Sequence, residues 1–228
     1  MPLNLESAIG KIDRPLHMAG AEFYQIYPDH PAYRYLWHVC LSVNAMTIAV
    51  CTLKQLPVPA DGYLGLSGKG FDYVVRVPGY SCVNMALELK EPDCIPITID
   101  WQRKPDAHMT WAPQLRSWME SVVWPGFVDL YEHNQKAIHR SNPHLAAMAK
   151  LFRDSCAHGG RIMRNKGPST PIAWDGLAIG REDHGRPLSD FAALGDFLIL
   201  AIWMCDGFKD RQSRTATRHE AHRESQPT

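Results

Sequence analysis

The sequence carries no net charge and has no segment suited to a membrane. Its 24 Lys and Arg residues balance 24 Asp and Glu residues, so the whole molecule has no field that attracts nucleic acid or lipid. No uncharged apolar run reaches the roughly 18 residues of a membrane span, and the best candidate, residues 197–205, is bounded by Asp196 and Asp206. Residues 1–10 lack the basic and apolar regions of a secretion signal. These absences predict a cytoplasmic protein without membrane insertion.

Cysteine is sparse, with six residues dispersed along the chain and no Cys-x-x-Cys pair. This density predicts reduced thiols rather than a disulfide framework. The spacings between His and Cys residues do not match those of known metal sites, so we interpret the histidines as ordinary surface residues. We therefore expect no metal and no cofactor. The pairs that come nearest to a metal motif are Cys156 with His158, His139 with His144, and His219 with His222.

No signature of an active site is present. No serine lies in a nucleophile-elbow pattern, and no pair of carboxylates has a spacing that assigns acid and base roles. Cys156 has basic neighbours, Arg153 and Arg161, of the kind that activate a thiol. It also belongs to the apolar stripe of a predicted helix, which favours an inert core thiol. We therefore predict no catalytic residue.

A glycine cluster at residues 62–70 has the composition of a phosphate-binding loop but not its order. In such loops, backbone amides and a lysine surround the phosphate. Here Tyr63 occupies the place of the first glycine, and Gly70 follows Lys69 where Ser or Thr is required. The next residues have a strand-like pattern, so the cluster predicts a flexible connection between strands.

Residues 20–101 have the composition of β-strands joined by short connections. Tyr33 to Leu53 is predicted to be a hairpin, because many of its residues are β-branched or aromatic and a polar break at Asn44 to Thr47 allows a turn centred on Ala45 and Met46. Because no helical pattern intervenes, the segment predicts an antiparallel sheet of five or six strands. The clearest other strands are residues 71–77, residues 83–90, and the alternating Ile95, Ile97, Ile99 and Trp101.

After Pro113 the apolar period becomes helical. Asn142 and Pro143 are a capping side chain and a first-turn proline, which predict the start of a third helix that ends at Gly159. Its buried stripe is predicted to be Leu145, Met148, Ala149, Phe152 and Cys156. The other helices are predicted at residues 114–124, stopped by Pro125 and Gly126, at residues 127–139, and from the capping Ser189 to about Cys205.

These elements predict one α+β domain over residues 1–208, with the N-terminal sheet packed against three or four C-terminal helices. Residues 160–188 form a long loop region with one strand at 172–179, and loops of this length are often functional. Residues 209–228 contain no large hydrophobic side chain and are predicted to be a disordered, charged tail.

Positive charge is concentrated around the end of the third helix. Residues 140–169 contain six Lys and Arg residues against the single acid Asp154. Because arginine forks match carboxylates and phosphates, we predict a contact surface for an anionic partner. Tryptophan is enriched at interface hot spots, although core filling explains most of the tryptophans here. The predicted partner-binding residues are Arg153, His158, Arg161, Arg164, Asn165, Lys166 and Trp174.

Three hypotheses of function follow. The missing active-site signature and the local basic surface favour a non-enzymatic accessory or inhibitory protein that binds another protein with an acidic surface. Accessory proteins of plasmids and phages often have this character. The second hypothesis is nucleic-acid binding through residues 140–169 and the tail. The third is an enzyme around Cys156 and His158, with Asp175, Asp183 or His184 as companions.

Overall fold

The computed structural model describes residues 21–53, 55, 62–70, 73–79, 92–101, 118–141, 143–174 and 176–205. These residues form a mixed α+β structure, which confirms the predicted fold class. The strands are β1 (Ala21–Ile26), β2 (Gly62–Ser67), β3 (Val74–Gly79), β4 (Ile95–Asp100), β5 (Ile172–Trp174) and β6 (Leu177–Ile179). The helices are α1 (Tyr33–Leu53), α2 (Trp124–Ser141), α3 (Pro143–Ala157) and α4 (Leu194–Cys205).

The larger sheet is antiparallel, with the strand order β1-β4-β3-β2. Ile95, Ile97 and Ile99 of β4 are buried and the residues between them are half-buried, as their alternation predicted. The register places Ile97 opposite Tyr24 and Ile99 opposite Val75, which extends this apolar face across neighbouring strands. Helices α1 and α4 contact the sheet, and together they enclose the core.

The predicted hairpin at Tyr33–Leu53 is wrong, because this segment is the helix α1. Leu36, Val39 and Val43 are buried at helical spacing. Polar side chains of this segment, including Asn44 and Thr47 of the predicted break, bond to the carbonyl four residues earlier, which satisfies them within the helix. These bonds join Ser42 to His38, Asn44 to Cys40, and Thr47 to Val43.

The sheet has four strands in the described residues, fewer than the five or six predicted. The segment of α1 contributes none, and the strand predicted at 83–90 lies outside the described residues. The glycine cluster, predicted to be only a connection, contains β2, which pairs with β3 along its whole length. Glycine suits position 65 in this pairing because a larger residue would be crowded. A β-carbon there would lie only 3.0 Å from Cγ1 of Val74.

The third helix is confirmed as α3, and its whole predicted stripe is buried. Helix α2, in contrast, runs through the point where a stop was predicted. A π-helical turn, Met119–Val123, leads directly into it. Pro125 has no N–H to donate to this preceding turn, and it lies where the π-helical turn passes into α2.

Helix α4 lies in the centre of the core, as its nearly uniform apolarity predicted. The ring of Phe197 lies 4.9 Å from that of Phe152 and 5.5 Å from that of Phe127, measured between centroids. The helix begins at Leu194 and is not capped by Ser189, which lies in a separate turn of 3-10 helix, Leu188–Asp190. The cap comes from Asp196, whose carboxylate accepts the N–H of Ala193 at 2.7 Å.

The single strand predicted at 172–179 is a hairpin of β5 and β6. Gly176 turns it with a φ of +77°. A β-carbon on Gly176 would lie 1.9 Å from the carbonyl oxygen of Gly70, so only glycine allows this close contact with the loop after β2.

Within the described residues, no helix is both long and apolar enough to cross a membrane. The predicted domain boundary at residue 208 and the predicted tail at 209–228 lie outside those residues.

Candidate functional site

The predicted contact surface begins where α3 ends. The backbone N–H groups of His158 and Gly160 both donate to the carbonyl of Ser155, which closes the helix. Gly159 and Gly160 have φ angles of +66° and +71°. The indole ring of Trp124 packs over Gly160 so closely that a β-carbon there would lie 2.0 Å from its Cη2 atom. The chain therefore leaves the helix in a defined direction.

Two loop segments then run antiparallel, although neither is part of a named strand. The N–H of Ile162 donates to the carbonyl of Arg186 at 2.9 Å, and the N–H of Gly185 returns to the carbonyl of Ile162 at 2.8 Å. The N–H of Leu188 donates to the carbonyl of Gly160 at 2.7 Å. Between these bonds Arg161 faces Pro187 as an isolated bridge. We call this arrangement the loop ladder, and it holds a segment without regular secondary structure in one conformation.

Side chains alternate along residues 161–165, as they do on a strand. Ile162 and Arg164 are buried, whereas Arg161, Met163 and Asn165 are exposed. Lys166 and Gly167 continue the exposed surface. Met163 is 37% exposed, which is unusual for a large apolar side chain in the described residues. We call residues 161–167 the docking loop.

Arg164 does not stand in solvent, which corrects the prediction that it is exposed. Its side chain is 6% exposed, and its Nη2 atom donates to the carbonyls of Pro168, at 3.2 Å, and Thr170. Its backbone N–H donates to Nδ1 of His184 at 3.1 Å. Carbonyl oxygens thus replace water at Nη2, whereas Nε is buried without a hydrogen-bond partner among the described residues. Arg164 braces the loop from inside and is not available to a partner.

Arg153 is likewise engaged within the molecule. Its Nε atom donates to Glu132 of α2 at 2.6 Å, and its Nη1 atom donates to Asp154 at 2.9 Å. These carboxylates raise the pKa of the guanidinium, Asp154 first. Asp154 also binds Lys150 at 2.5 Å. This surface network joins α2 to α3, and its positive charge is compensated.

The predicted site residues therefore divide into three groups. Arg161, Asn165 and Lys166 lie together on the docking loop, and His158 is exposed just before it. Arg153 and Arg164 are held by internal partners. Trp174 is half-buried in the hairpin, where its ring packs edge-on against Trp203 at 5.3 Å between centroids.

Sequence reasoning missed the segment that supports the docking loop from the other side. Asp183 is buried and accepts hydrogen bonds from the N–H of Gly180, at 2.8 Å, and from Arg186, at 2.9 Å. The guanidinium of Arg186 also lies 4.5 Å above the ring of Phe191. An Asp three residues after a glycine is a common turn signal, but a single sequence does not pair that turn with residues 161–164.

No family model, curated protein or solved structure matches this chain. What the site does is therefore argued from its geometry and chemistry. The described surface offers Arg161 and Lys166 as cations without a carboxylate partner among the described residues, with Met163 between them.

Within the part of the chain that the structure describes, no hydrogen bond or ion pair joins Cys156 or His158 to Asp183 or His184. Cys156 is buried, and burial raises the pKa of its thiol, which disfavours the reactive thiolate. His184 and Asp183 bond to Arg164 and Gly180 as described, and Asp175 lies outside the described residues. Among the residues that the structure describes, no three His, Cys, Asp or Glu side chains are placed to hold a metal ion.

The glycine cluster does surround an anion, but this anion is the carboxylate of Asp196. Backbone N–H groups of Lys69 and Gly70 donate to it at 2.9 and 3.2 Å, and the hydroxyl of Tyr73 donates as well. Burial raises the pKa of Asp196, and the hydrogen bonds from Tyr73 and the backbone partly offset this effect. Asp196 is fully buried, so this arrangement anchors the loop after β2 to the start of α4.

Proposed function

We propose that this protein is a non-enzymatic accessory or inhibitory protein that binds an acidic surface of another protein through the docking loop. The observation that carries the proposal is the exposed pair Arg161 and Lys166 on a backbone fixed by the loop ladder. Arginine matches carboxylates through two parallel hydrogen bonds. Among the described residues, the Arg161 side chain makes one hydrogen bond, from Nη1 to the carbonyl of Gly185 at 2.9 Å, and its other donors have no partner there.

The rigidity of the loop supports binding because association orders the contacting residues. Ordering a side chain costs about 0.5–1.5 kcal/mol, and ordering a mobile loop costs more. Here the loop ladder and the buried Arg164 fix the backbone before a partner arrives. Met163 adds apolar contact area with an adaptable side chain.

The geometry favours a protein partner over nucleic acid. The nucleic-acid hypothesis relied on Arg161 and Arg164 acting together, yet Arg164 is buried and Arg153 is already paired with carboxylates. Affinity for a polyphosphate chain grows with the number of phosphates neutralised. Two exposed cations beside an apolar Met163 fit a small acidic protein surface better than an extended phosphate backbone.

Charge reversal on the docking loop tests the proposal. We expect the double variant Arg161→Glu, Lys166→Glu to lose at least about 90% of the proteins that the immobilised wild type retains from cell extract, because attraction becomes repulsion. The matched control is Arg34→Glu, Lys136→Glu, which makes the same charge change at exposed positions of α1 and α2. The control is expected to retain these proteins, and retention is expected to fall as salt is raised.

Two results would contradict the proposal. Equal retention by both double variants would show that the docking loop makes no contact. Loss of retention after nuclease treatment would support the nucleic-acid hypothesis instead. Quantitative mass spectrometry of the retained proteins, with melting temperatures of all variants, provides the measurement.

A further inference from the structure

The docking loop has one edge whose backbone groups are unpaired among the described residues. In an antiparallel pair, the N–H and C=O groups of successive residues point alternately toward the partner and away from it. The C=O of Gly160 and both the N–H and the C=O of Ile162 bond to residues 185–188, and the N–H of Arg164 points the same way, to His184. The N–H and C=O groups of Arg161 and Met163 therefore point to the opposite side.

This edge is accessible. Arg161 and Met163 are both exposed, and their backbone groups make no hydrogen bond to any described residue. A row of unpaired N–H and C=O groups is a template for another strand. The edge is short and lies beside Arg161 and Lys166, and such brevity and charge limit indiscriminate association with neutral or basic chains.

We propose that the partner binds as an extended acidic peptide that adds as a strand along Arg161 and Met163. This proposal rests on the proposed function and specifies the chemistry of its partner. Peptides that add to a sheet edge gain affinity from main-chain hydrogen bonds and specificity from alternate side chains. The N–H and C=O groups of Arg161 and Met163 supply the donors and acceptors for these bonds.

The exposed side chains specify the peptide further. Arg161 and Met163 point to the same face, so the two peptide residues opposite them also share that face. An acidic side chain opposite Arg161 forms an ion pair, and an apolar side chain opposite Met163 covers its exposed surface. The preferred peptide therefore has an acidic and an apolar residue two positions apart, with further acidic residues toward Lys166.

A proline substitution separates strand addition from side-chain docking. Met163→Pro removes the N–H that the edge offers, but it leaves the N–H groups of Ile162 and Arg164 that hold the loop in place. Met163→Ala is the matched control, because it shortens the side chain and keeps the N–H. The residue before a proline prefers extended backbone, which is the conformation that the alternation indicates for Ile162.

The probe is a short fluorescein-labelled peptide in which a glutamate and a valine lie two positions apart with serine between them, followed by further glutamates, and its binding is measured by fluorescence anisotropy. We expect Met163→Pro to weaken binding by about tenfold or more and Met163→Ala by about threefold or less. The same peptide with alternate amides N-methylated is expected to bind the wild type about tenfold more weakly. If Met163→Pro lowers the melting temperature, the N-methylated peptide is the measurement that separates strand addition from side-chain docking.

Strand addition is overturned if the peptide does not bind the wild type, or if N-methylation leaves its affinity unchanged. The double variant Arg161→Glu, Lys166→Glu separates this failure from failure of the proposed function. If that variant loses its retained proteins while N-methylation has no effect, the docking loop binds an acidic surface of its partner but does not add a strand. If it retains those proteins as the wild type does, both proposals fall.

Discussion

Replacing Asp196 with asparagine is expected to lower the free energy of unfolding by about 3–4 kcal/mol. The carboxylate accepts hydrogen bonds from Lys69, Gly70, Tyr73 and Ala193 in a fully buried position. An amide offers only one oxygen. Whichever way it is turned, its NH₂ group faces at least one backbone N–H, and that buried donor is left without an acceptor.

Asp190→Asn is the matched control for this prediction. Asp190 is exposed, and its distance to Arg186 is 3.8 Å, so its loss is expected to change stability by less than about 0.5 kcal/mol. Urea unfolding of both variants measures the difference. If Asp196→Asn and Asp190→Asn unfold at the same urea concentration, the carboxylate does not anchor the loop after β2 to α4.

The second large effect is expected at Gly160. An alanine there must adopt a left-handed φ, which costs about 1 kcal/mol, and its β-carbon must displace the ring of Trp124, which costs about 2–3 kcal/mol more. Gly159→Ala is the control, because Gly159 has nearly the same φ but open space around its β-carbon position. Its expected cost is about 1 kcal/mol.

The difference between these two alanine variants in urea unfolding isolates the contact between Gly160 and Trp124. Similar costs for both would mean that Trp124 does not fix the direction in which the chain leaves α3. Because the loop ladder starts at Gly160, we also expect Gly160→Ala, but not Gly159→Ala, to weaken partner retention.

The sequence predicted those elements whose local signals and packing agree. Helix α3 starts at Pro143, as the Asn-Pro signal predicted, and β4 has the strict alternation of a half-buried strand. In α1 the signals conflict, because β-branched and aromatic residues favour strands while burial follows a helical period. The segment forms a helix because its buried face packs against the sheet. The pattern of residues in one sequence does not show such a tertiary contact.

The location of the docking loop was predicted from charge, but the orientation of its side chains was not. Arg161 and Arg164 are indistinguishable in sequence, yet one is exposed and the other is buried against the carbonyls of Pro168 and Thr170. Those acceptors exist only once the loop has closed. Ile162 and Met163 are both apolar, so the sequence has no alternation there that indicates which cation points inward.

The rejected motifs also have a physical explanation in the structure. The glycine cluster at 62–70 matched a phosphate-binding loop in composition because its glycines and backbone amides do approach an anion closely. That anion comes from Asp196, far along the chain. Cys156 follows the buried stripe of α3, and its position in that stripe, rather than its basic neighbours, predicted its environment.

Amide hydrogen exchange of the free protein tests the account most directly, because the docking loop is proposed to be fixed on one edge and open on the other. The N–H groups of Ile162, Gly185 and Leu188 are expected to exchange slowly, since each is a donor in the loop ladder. Those of Arg161 and Met163 are expected to exchange fast and to slow when the acidic peptide is added. Fast exchange at all five amides, or equal protection at all five, would contradict a braced loop with an open edge.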